Sequence, residues 1–165
     1  LGNIKASKYT IDLGLDITLE DYLQNISKEL YFEYTTNIKL KPFVKEYLTA
    51  LREKGAGLCV LTASPHLYVD DCLKKHGIFD LFDIVWTVDD LKLTKAQPEI
   101  FALAAEKLGA DVKDCTMFDD NIIAITNAKA AGLKTVAVFD KTSLSVKPKM
   151  QEIAHKYIDS FNELL

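Results

Sequence analysis

The sequence predicts an α/β fold in which helices cover both faces of a doubly wound parallel sheet. From about residue 41 onward, segments with helical periodicity alternate with short apolar runs, and helical segments end at glycines. The apolar runs are continuous rather than alternating, which is typical of parallel strands buried on both faces. At 165 residues and 48% hydrophobic composition, the chain is long enough to bury one core of ordinary size.

The segment from Pro42 to Thr62 shows this pattern most clearly. After Pro42, apolar residues recur with helical spacing as far as Gly55, and the continuous apolar run 57–62 follows. Proline is tolerated in a first helical turn, and glycine supplies a left-handed cap at the end. The same succession predicts further helices near residues 66–76, 98–108 and 122–131, further strands near 83–87, 115–118 and 134–139, and a last helix followed by an irregular or extended tail.

Residues 1–38 contain no apolar run of the buried-strand type. They carry one predicted helix, from about Leu19 to Tyr34, with Thr18 as its N-cap and Asp21 three residues further on. We therefore expect two parts, a partial helical element at residues 1–38 and an α/β domain at residues 39–165. The helical spacing of the aromatic residues favours core packing over a pocket lining; these residues are Tyr22, Tyr31, Phe32 and Tyr34.

Composition excludes several classes of partner and location. The 20 Lys and Arg residues are interspersed with 24 Asp and Glu residues for a net charge of −4, which argues against nucleic-acid binding. The longest apolar runs are far shorter than the roughly 20 residues of a membrane span, and residues 1–8 do not resemble a secretion signal. Cys59, Cys72 and Cys115 have no close spacing and are interpreted as reduced thiols of a cytoplasmic protein.

Candidate functional residues lie where predicted strands end, because ligands of open parallel sheets bind beyond the carboxyl ends of the strands. The first strand leads into Thr62-Ala63-Ser64, next to the start of a helix. Two hydroxyls and the N–H groups of a helix start suit phosphate oxygens. The alternative is that Thr62 and Ser64 only cap that helix.

A second strand end carries Asp119 and Asp120. Adjacent carboxylates are unfavourable unless a cation holds them, and such hard oxygen ligands suit Mg²⁺. The alternative is that one of them caps the helix from Ile122 while the other faces solvent. Lys95 lies in the loop that opens another helix and is a third candidate site residue. The alternative is that Lys95 is only a solvated surface charge. Together, however, the hydroxyls, the lysine and the carboxylate pair lie at the same edge of successive βα units. Phosphoryl transfer requires mainly positioning and charge neutralisation, and these groups can supply both.

Two of these segments resemble signature motifs of haloacid dehalogenase-like hydrolases. The helix and strand within residues 41–64 look like the family's second motif, in which Thr62 takes the place of a Ser or Thr. Residues 95–101 are similar to the family's Lys-Pro-x-Pro-x-x-Phe motif, with Lys95 in the lysine position and Ala96 in place of the first proline.

A third segment, residues 118–132, resembles the acidic metal-binding motif and its following alanine-rich helix. Asn121 stands where Ser is usual and Ala124 where Gly is usual, and neither change removes a metal ligand. The resemblance covers the chain from about residue 18 to its end. It implies a Rossmann-like core with a partial helical cap and is strongest to the β-phosphoglucomutase-like branch.

The resemblance also implies a function for the intact parent protein. It would be a Mg²⁺-dependent phosphatase or phosphomutase that acts on a small phosphorylated metabolite through an aspartyl-phosphate, and it would be a monomer. Lys95 and Thr62 would take part in catalysis by neutralising and holding the phosphoryl group. The binding residues implied are Asp119 and Asp120 for the metal, and Thr62, Ala63, Ser64 and Lys95 for the substrate.

The family's nucleophilic motif, an apolar strand ending in Asp-x-Asp, is not found in the sequence. Asp12 and Asp16 are four residues apart and follow no apolar strand, so they do not match it. The resemblance implies that this strand lies upstream of Leu1 and that the chain is a fragment, inactive as it stands. Because the family's first strand lies mid-sheet, its absence would leave an open slot that favours association with another polypeptide.

Other functions remain as alternatives. The chain could be a non-catalytic fragment or regulatory protein that binds phosphate and metal without the nucleophile. A phospho-accepting receiver domain also has an acidic pair, a Thr and a Lys, but in a different order along the chain. A dinucleotide-binding domain is disfavoured because no Gly-x-Gly-x-x-Gly follows any predicted strand.

Overall fold

The computed structural model describes residue 14 and residues 16–165. The α-helices in this part of the chain are α1 (Leu19–Phe32), α2 (Val44–Glu53), α3 (His66–Lys75), α4 (Val88–Leu91), α5 (Glu99–Lys107), α6 (Ile122–Ala130) and α7 (Lys147–Ile153). The strands are β1 (Cys59–Thr62), β2 (Ile84–Thr87), β3 (Thr116–Asp119), β4 (Lys134–Val138) and β5 (Lys156–Ile158). Their alternation confirms the predicted α/β class. Predictions that concern residues 1–13, including Asp12 and the missing leader, lie outside the described residues.

Helix α1 begins where the sequence predicts and ends differently. The Thr18 hydroxyl accepts the Asp21 N–H at 3.1 Å and donates to the Asp21 carboxylate at 2.6 Å. After Phe32 the helix continues as a π-helical turn, Glu33–Asn37, that the sequence did not predict. No residue of α1 or of this turn is buried. The predicted core packing is wrong for Tyr31 and Phe32, which are 38% and 54% exposed.

Helix α2 starts with an unusual backbone conformation. Its N-cap residue, Phe43, has φ +64° and ψ +13°, in the left-handed region, and makes no side-chain cap hydrogen bond. At the other end of the helix, Gly55 has φ +78°. Glycine adopts this conformation without steric penalty, and so the helix ends where the sequence predicts.

The strands form two separate parallel sheets. β1 pairs with β2, and β4 pairs with β3 on one side and β5 on the other. Among the described strands, β1 and β3 do not pair with each other. Leu61 of β1 and Met117 of β3 nevertheless pack against one shared buried cluster, formed by Ile100, Phe101, Ala128 and Leu133. The sheet is therefore interrupted between β1 and β3, which is the position expected for the slot.

Strand β4 lies at the centre of the core. Four of its five residues are buried, and they alternate between clusters on the two faces of the sheet. Val136 and Val138 belong to one cluster, which α2 and the C-terminal 3₁₀ turn (Phe161–Leu164) cover. Ala137 belongs to the other cluster, which α6 and α7 cover. Helices thus cover both faces, as a doubly wound sheet requires.

The three cysteines are free thiols, as the sequence predicts. Cys72 is buried in α3, whereas Cys59 and Cys115 are half-buried at the beginnings of β1 and β3. Burial, with smaller contributions from Asp83 and Cys115, raises the pKa of Cys59 to about 12. Within the described ranges, no helix is both long and apolar enough to cross a lipid bilayer.

Candidate functional site

The predicted site residues lie at two strand ends and in one loop. Thr62 is the last residue of β1 and Asp119 the last residue of β3. Lys95 lies between α4 and α5. The structure gathers these residues into two groups, one on each side of the interruption in the sheet.

The first group pairs Lys95 with Asp119. The Lys95 ammonium lies 2.6 Å from Asp119 Oδ2, and the Asp119 side chain is only 6% exposed. The other oxygen of Asp119 accepts the N–H of Asn121 at 2.8 Å. Asn127 of α6 donates to the carbonyl of Lys95 at 3.2 Å, which ties this loop to the helix behind the carboxylates. Lys95 is therefore not a free surface charge, and the α6 N-cap is Asn121 rather than either aspartate.

Asp120 lies next to this pair, and Lys41 compensates its negative charge only in part. Its side chain is 40% exposed, and the nearest ammonium, that of Lys41, is 3.9 Å away. Partial burial and the neighbouring charge of Asp119 raise the pKa of Asp120, and Lys41 offsets this only in part. A divalent cation at this position would remove the repulsion between the two carboxylates.

The second group consists of hydroxyls at the end of β1. Thr62 Oγ1 accepts the N–H of Ser64 at 3.0 Å, and Ser64 Oγ forms a hydrogen bond of 2.5 Å with the Tyr34 hydroxyl. Ala63, between them, is exposed. The N-cap of α3 is Pro65, without a side-chain cap hydrogen bond, so the interpretation of Thr62 and Ser64 as helix caps is wrong.

The two groups do not contact each other directly. Among the described residues, no hydrogen bond or ion pair joins Thr62 or Ser64 to Lys95, Asp119 or Asp120. A cleft of about 240 Å³ opens on the acidic side; its lining residues are Lys41, Val44, Phe118, Asp119, Asp120, Val138 and Phe161. The interruption between β1 and β3 thus divides the candidate site as it divides the sheet.

Lys41 and Asp140 are charged residues that the sequence analysis did not place in the site. The Lys41 ammonium donates to Asp140 Oδ2 at 2.6 Å and to the carbonyl of Phe139 at 2.8 Å. Lys41, helped by hydrogen bonds from Thr142, holds the pKa of Asp140 well below its usual range. The position of Asp140 two residues after the end of β4, at the same edge as Asp119, was the signal that could have identified it.

His66 forms a third polar cluster that the sequence did not reveal. Its Nδ1 lies 2.8 Å from Asp70 and its Nε2 lies 2.9 Å from Asp90. Asp90 also accepts the N–H and the hydroxyl of Thr87, at 2.7 and 2.9 Å. The hydrogen bond to Asp70 raises the pKa of His66. Desolvation of the ring lowers this pKa in part, and the hydrogen bond to Asp90 raises it further. The cluster links α3 to the end of β2.

The acidic pair fits part of a magnesium site. Mg²⁺ in proteins is commonly held by one or two carboxylates, with waters and substrate phosphates completing its shell. Asp119 and Asp120 supply two carboxylates of this kind. In residues 14 and 16–165, no three His, Cys, Asp or Glu side chains are grouped to hold a metal ion. The pair therefore offers a partial ligand set.

Comparison with known proteins identifies the family. A family model of haloacid dehalogenase-like hydrolases matches residues 8–132 of the chain. The chain belongs to the haloacid dehalogenase-like hydrolases. The resemblance inferred from the three motifs is confirmed.

Relatives of the chain include proteins named as phosphatases. YhcW of Bacillus subtilis, provisionally named a phosphatase, is 32% identical over 131 residues, which cover 79% of this chain and 59% of YhcW. The pyrophosphatase PpaX of Bacillus velezensis is 37% identical over 110 residues, which cover 67% of this chain and 48% of PpaX. The chain thus spans about half to three fifths of the length of these two relatives.

Solved structures of the family share its fold. The β-phosphoglucomutase of Clostridium difficile superimposes with a TM-score of 0.70 at 24% identity. The superposition covers 89% of this chain and 61% of that enzyme. The Rossmann-like architecture predicted from the sequence is therefore shared with this solved structure.

Proposed function

We propose that this hydrolase chain belongs to a Mg²⁺-dependent phosphatase or phosphomutase that acts on a small phosphorylated metabolite. The observation that carries the proposal is the 2.6 Å contact of Lys95 with the buried Asp119 at the end of β3. Asp120, next to it, has a raised pKa because burial and Asp119 disfavour its charge. A lysine and two carboxylates in this arrangement can receive a phosphoryl group together with a divalent cation.

Each predicted residue has a role in this proposal. The hydroxyls of Thr62 and Ser64 and the exposed backbone at Ala63 would hold phosphate oxygens, and Lys95 would offset their charge. Asp119 and Asp120 would hold Mg²⁺, which would polarise the phosphoryl oxygens. Residues 1–38 would form part of a cap over residues 39–165. A cytoplasmic location belongs to the same proposal, and the free thiols support it.

The nucleophile in this proposal is an aspartate on a strand that fits between β1 and β3. Its carboxylate oxygen would attack phosphorus as the bond from phosphorus to the substrate oxygen breaks. The second Asp of the Asp-x-Asp motif would protonate that leaving oxygen, and an aspartyl-phosphate would result. Water would then release phosphate in a phosphatase, or a substrate hydroxyl would take up the phosphoryl group in a mutase. The interruption of the sheet supports this location. Without that strand, the chain is expected to bind phosphate but not to turn over substrate.

Phosphate binding and turnover test the proposal separately. Binding of inorganic phosphate by the chain with and without Mg²⁺ would be measured by calorimetry, and p-nitrophenyl phosphate hydrolysis by release of nitrophenol. We expect Mg²⁺-dependent phosphate binding that Asp120→Ala weakens at least tenfold, because a metal ligand is lost. Asp80→Asn changes an exposed carboxylate away from the strand ends and should leave binding unchanged.

The outcomes of this experiment test the metal site and distinguish a missing nucleophile from a non-catalytic binding protein. Mg²⁺ affinity unchanged in Asp120→Ala would show that the acidic pair is not the metal site. Phosphate binding without hydrolysis would fit either the missing nucleophile or the alternative of a non-catalytic binding protein. Hydrolysis after addition of an Asp-containing strand would then exclude the non-catalytic alternative.

A further inference from the structure

The helical segment that precedes the core reaches the predicted phosphate site through Tyr34. Tyr34 lies in the π-helical turn Glu33–Asn37, and its ring packs against Tyr68 of α3 with ring centroids 5.6 Å apart. Its hydroxyl is 2.5 Å from Ser64 Oγ, just beyond the end of β1. A π-helical turn is rare and frequently occurs at functional sites. Here the turn carries the tyrosine that bonds Ser64.

The direction of this hydrogen bond depends on what Ser64 binds. Each hydroxyl can donate one hydrogen bond and accept two, so in the free protein either Tyr34 or Ser64 can be the donor. An unprotonated phosphate oxygen can only accept a hydrogen bond. When the Ser64 hydroxyl donates its hydrogen bond to such an oxygen, the Tyr34 hydroxyl must donate a hydrogen bond to Ser64. A hydroxyl that accepts one hydrogen bond also becomes a stronger donor in the next.

We propose that Tyr34 is a positioning residue that orients the Ser64 hydroxyl toward a phosphate oxyanion. The inference rests on the proposed function, because it requires phosphate to bind at Thr62 and Ser64. It adds a residue outside the predicted motifs and links the helical segment to the ligand. Phosphate binding then stabilises the docked position of α1 by the same free energy by which docking of α1 stabilises bound phosphate, because the two equilibria are thermodynamically linked.

The rest of the contact between α1 and α3 is weak enough for one hydrogen bond to matter. Besides the tyrosine ring contact, it includes hydrogen bonds between side chains, and no residue of α1 or of the π-helical turn is buried. Ser27 bonds the Tyr68 hydroxyl at 2.9 Å, and Tyr31 donates to Asp71 at 2.9 Å. Segments held by few buried apolar contacts open locally at low free energy. Ligand binding can therefore shift this docking measurably.

Two tyrosines on the same segment provide a matched test. Tyr31→Phe and Tyr34→Phe each remove one hydroxyl that bonds across to the core, but only Tyr34 bonds Ser64. The dissociation constant of inorganic phosphate would be measured by calorimetry with the full chain and Mg²⁺. We expect roughly fivefold weaker binding for Tyr34→Phe, as for the loss of one hydrogen bond, and unchanged binding for Tyr31→Phe.

Two further measurements separate positioning from a structural role. In a Ser64→Ala background, Tyr34→Phe should have no additional effect on phosphate binding, whereas independent effects would add. Hydrogen exchange of the α1 amides should slow with phosphate in the wild type and in Tyr31→Phe, but not in Tyr34→Phe. Wild-type phosphate affinity in Tyr34→Phe would overturn this inference alone. Absence of phosphate binding by the wild-type chain would overturn both the inference and the proposed function.

Discussion

Phe43 holds a backbone conformation that favours glycine. Its φ of +64° lies in the left-handed region, which places a Cβ atom too close to the following carbonyl and costs an L-residue about 1–2 kcal/mol. The Phe43 side chain is 46% exposed, so its removal gives up little packing. We expect Phe43→Gly to raise the free energy of unfolding by about 0.5–1 kcal/mol, after the greater freedom of glycine in the unfolded chain is subtracted. Urea denaturation measures the change.

Phe43→Ala is the control for this prediction. Alanine also removes the aromatic ring but keeps the Cβ atom and therefore the steric conflict. The glycine variant should be more stable than the alanine variant. Equal stability of the two variants would show that the strain relieved at this position does not exceed the entropy cost of glycine.

Single residues of the site were predictable where they follow a pattern along the chain. Lys95 and Asp119 come after successive strands, and the edge of a parallel sheet collects such positions. The contact of Lys41 with Asp140 joins positions that no periodicity relates, because it depends on how the segment before α2 runs over the end of β4. Tyr34 was recognised as a helical aromatic residue, but its contact with Ser64 depends on the π-helical turn.

At the scale of elements, His66 connects α3 with the region of α4. It lies between Asp70 of its own helix and Asp90 of α4, with Thr87 of β2 beside Asp90. These carboxylates raise the pKa of His66 in the folded chain. The protonated ring therefore stabilises the fold fully below its unfolded-state pKa of about 6.5, and this contribution is lost as pH rises through the folded-state pKa.

His66→Asn should therefore destabilise the chain in a pH-dependent manner. We expect a loss of up to about 1 kcal/mol at pH 6, since exposed ion pairs are screened, and a smaller loss at pH 9. Urea denaturation at the two pH values measures both. His76→Asn is the control, because the His76 ring bonds the carbonyl of Ile38 and, among the described residues, no carboxylate. A loss for His66→Asn that is equal at both pH values would contradict an electrostatic link.

Elements with a repeating pattern were predicted close to their observed bounds. Helices α2, α3, α5 and α6 have periodic apolar residues and a glycine stop, and both signals are local. Strand β5, by contrast, has three residues, and it is a strand because it pairs with the buried β4. Neither α4, with four residues, nor the π-helical turn has a local signal of its own.

At the scale of the whole molecule, the interruption gives β1 and β3 the properties of edge strands. Each pairs with one neighbour, whereas β4 pairs with two. Amide hydrogen exchange should therefore be slowest in β4, and alternate amides of β1 and β3 should exchange much faster. Mass spectrometry of peptides from the three strands measures these rates. Protection of β1 and β3 equal to that of β4 would show that their free edges are paired in solution.

The interruption also sets the polarity of any strand that closes it. A strand parallel to both β1 and β3 would begin at the rim opposite Thr62 and Asp119 and would end between those two residues. Its amino end would thus lie far from Thr62 and Asp119. A synthetic segment could carry a fluorophore or an affinity tag there without obstructing the catalytic groups. Under the proposed function, the two pieces would then constitute a split enzyme, in which hydrolysis reports that the segment and the chain have assembled.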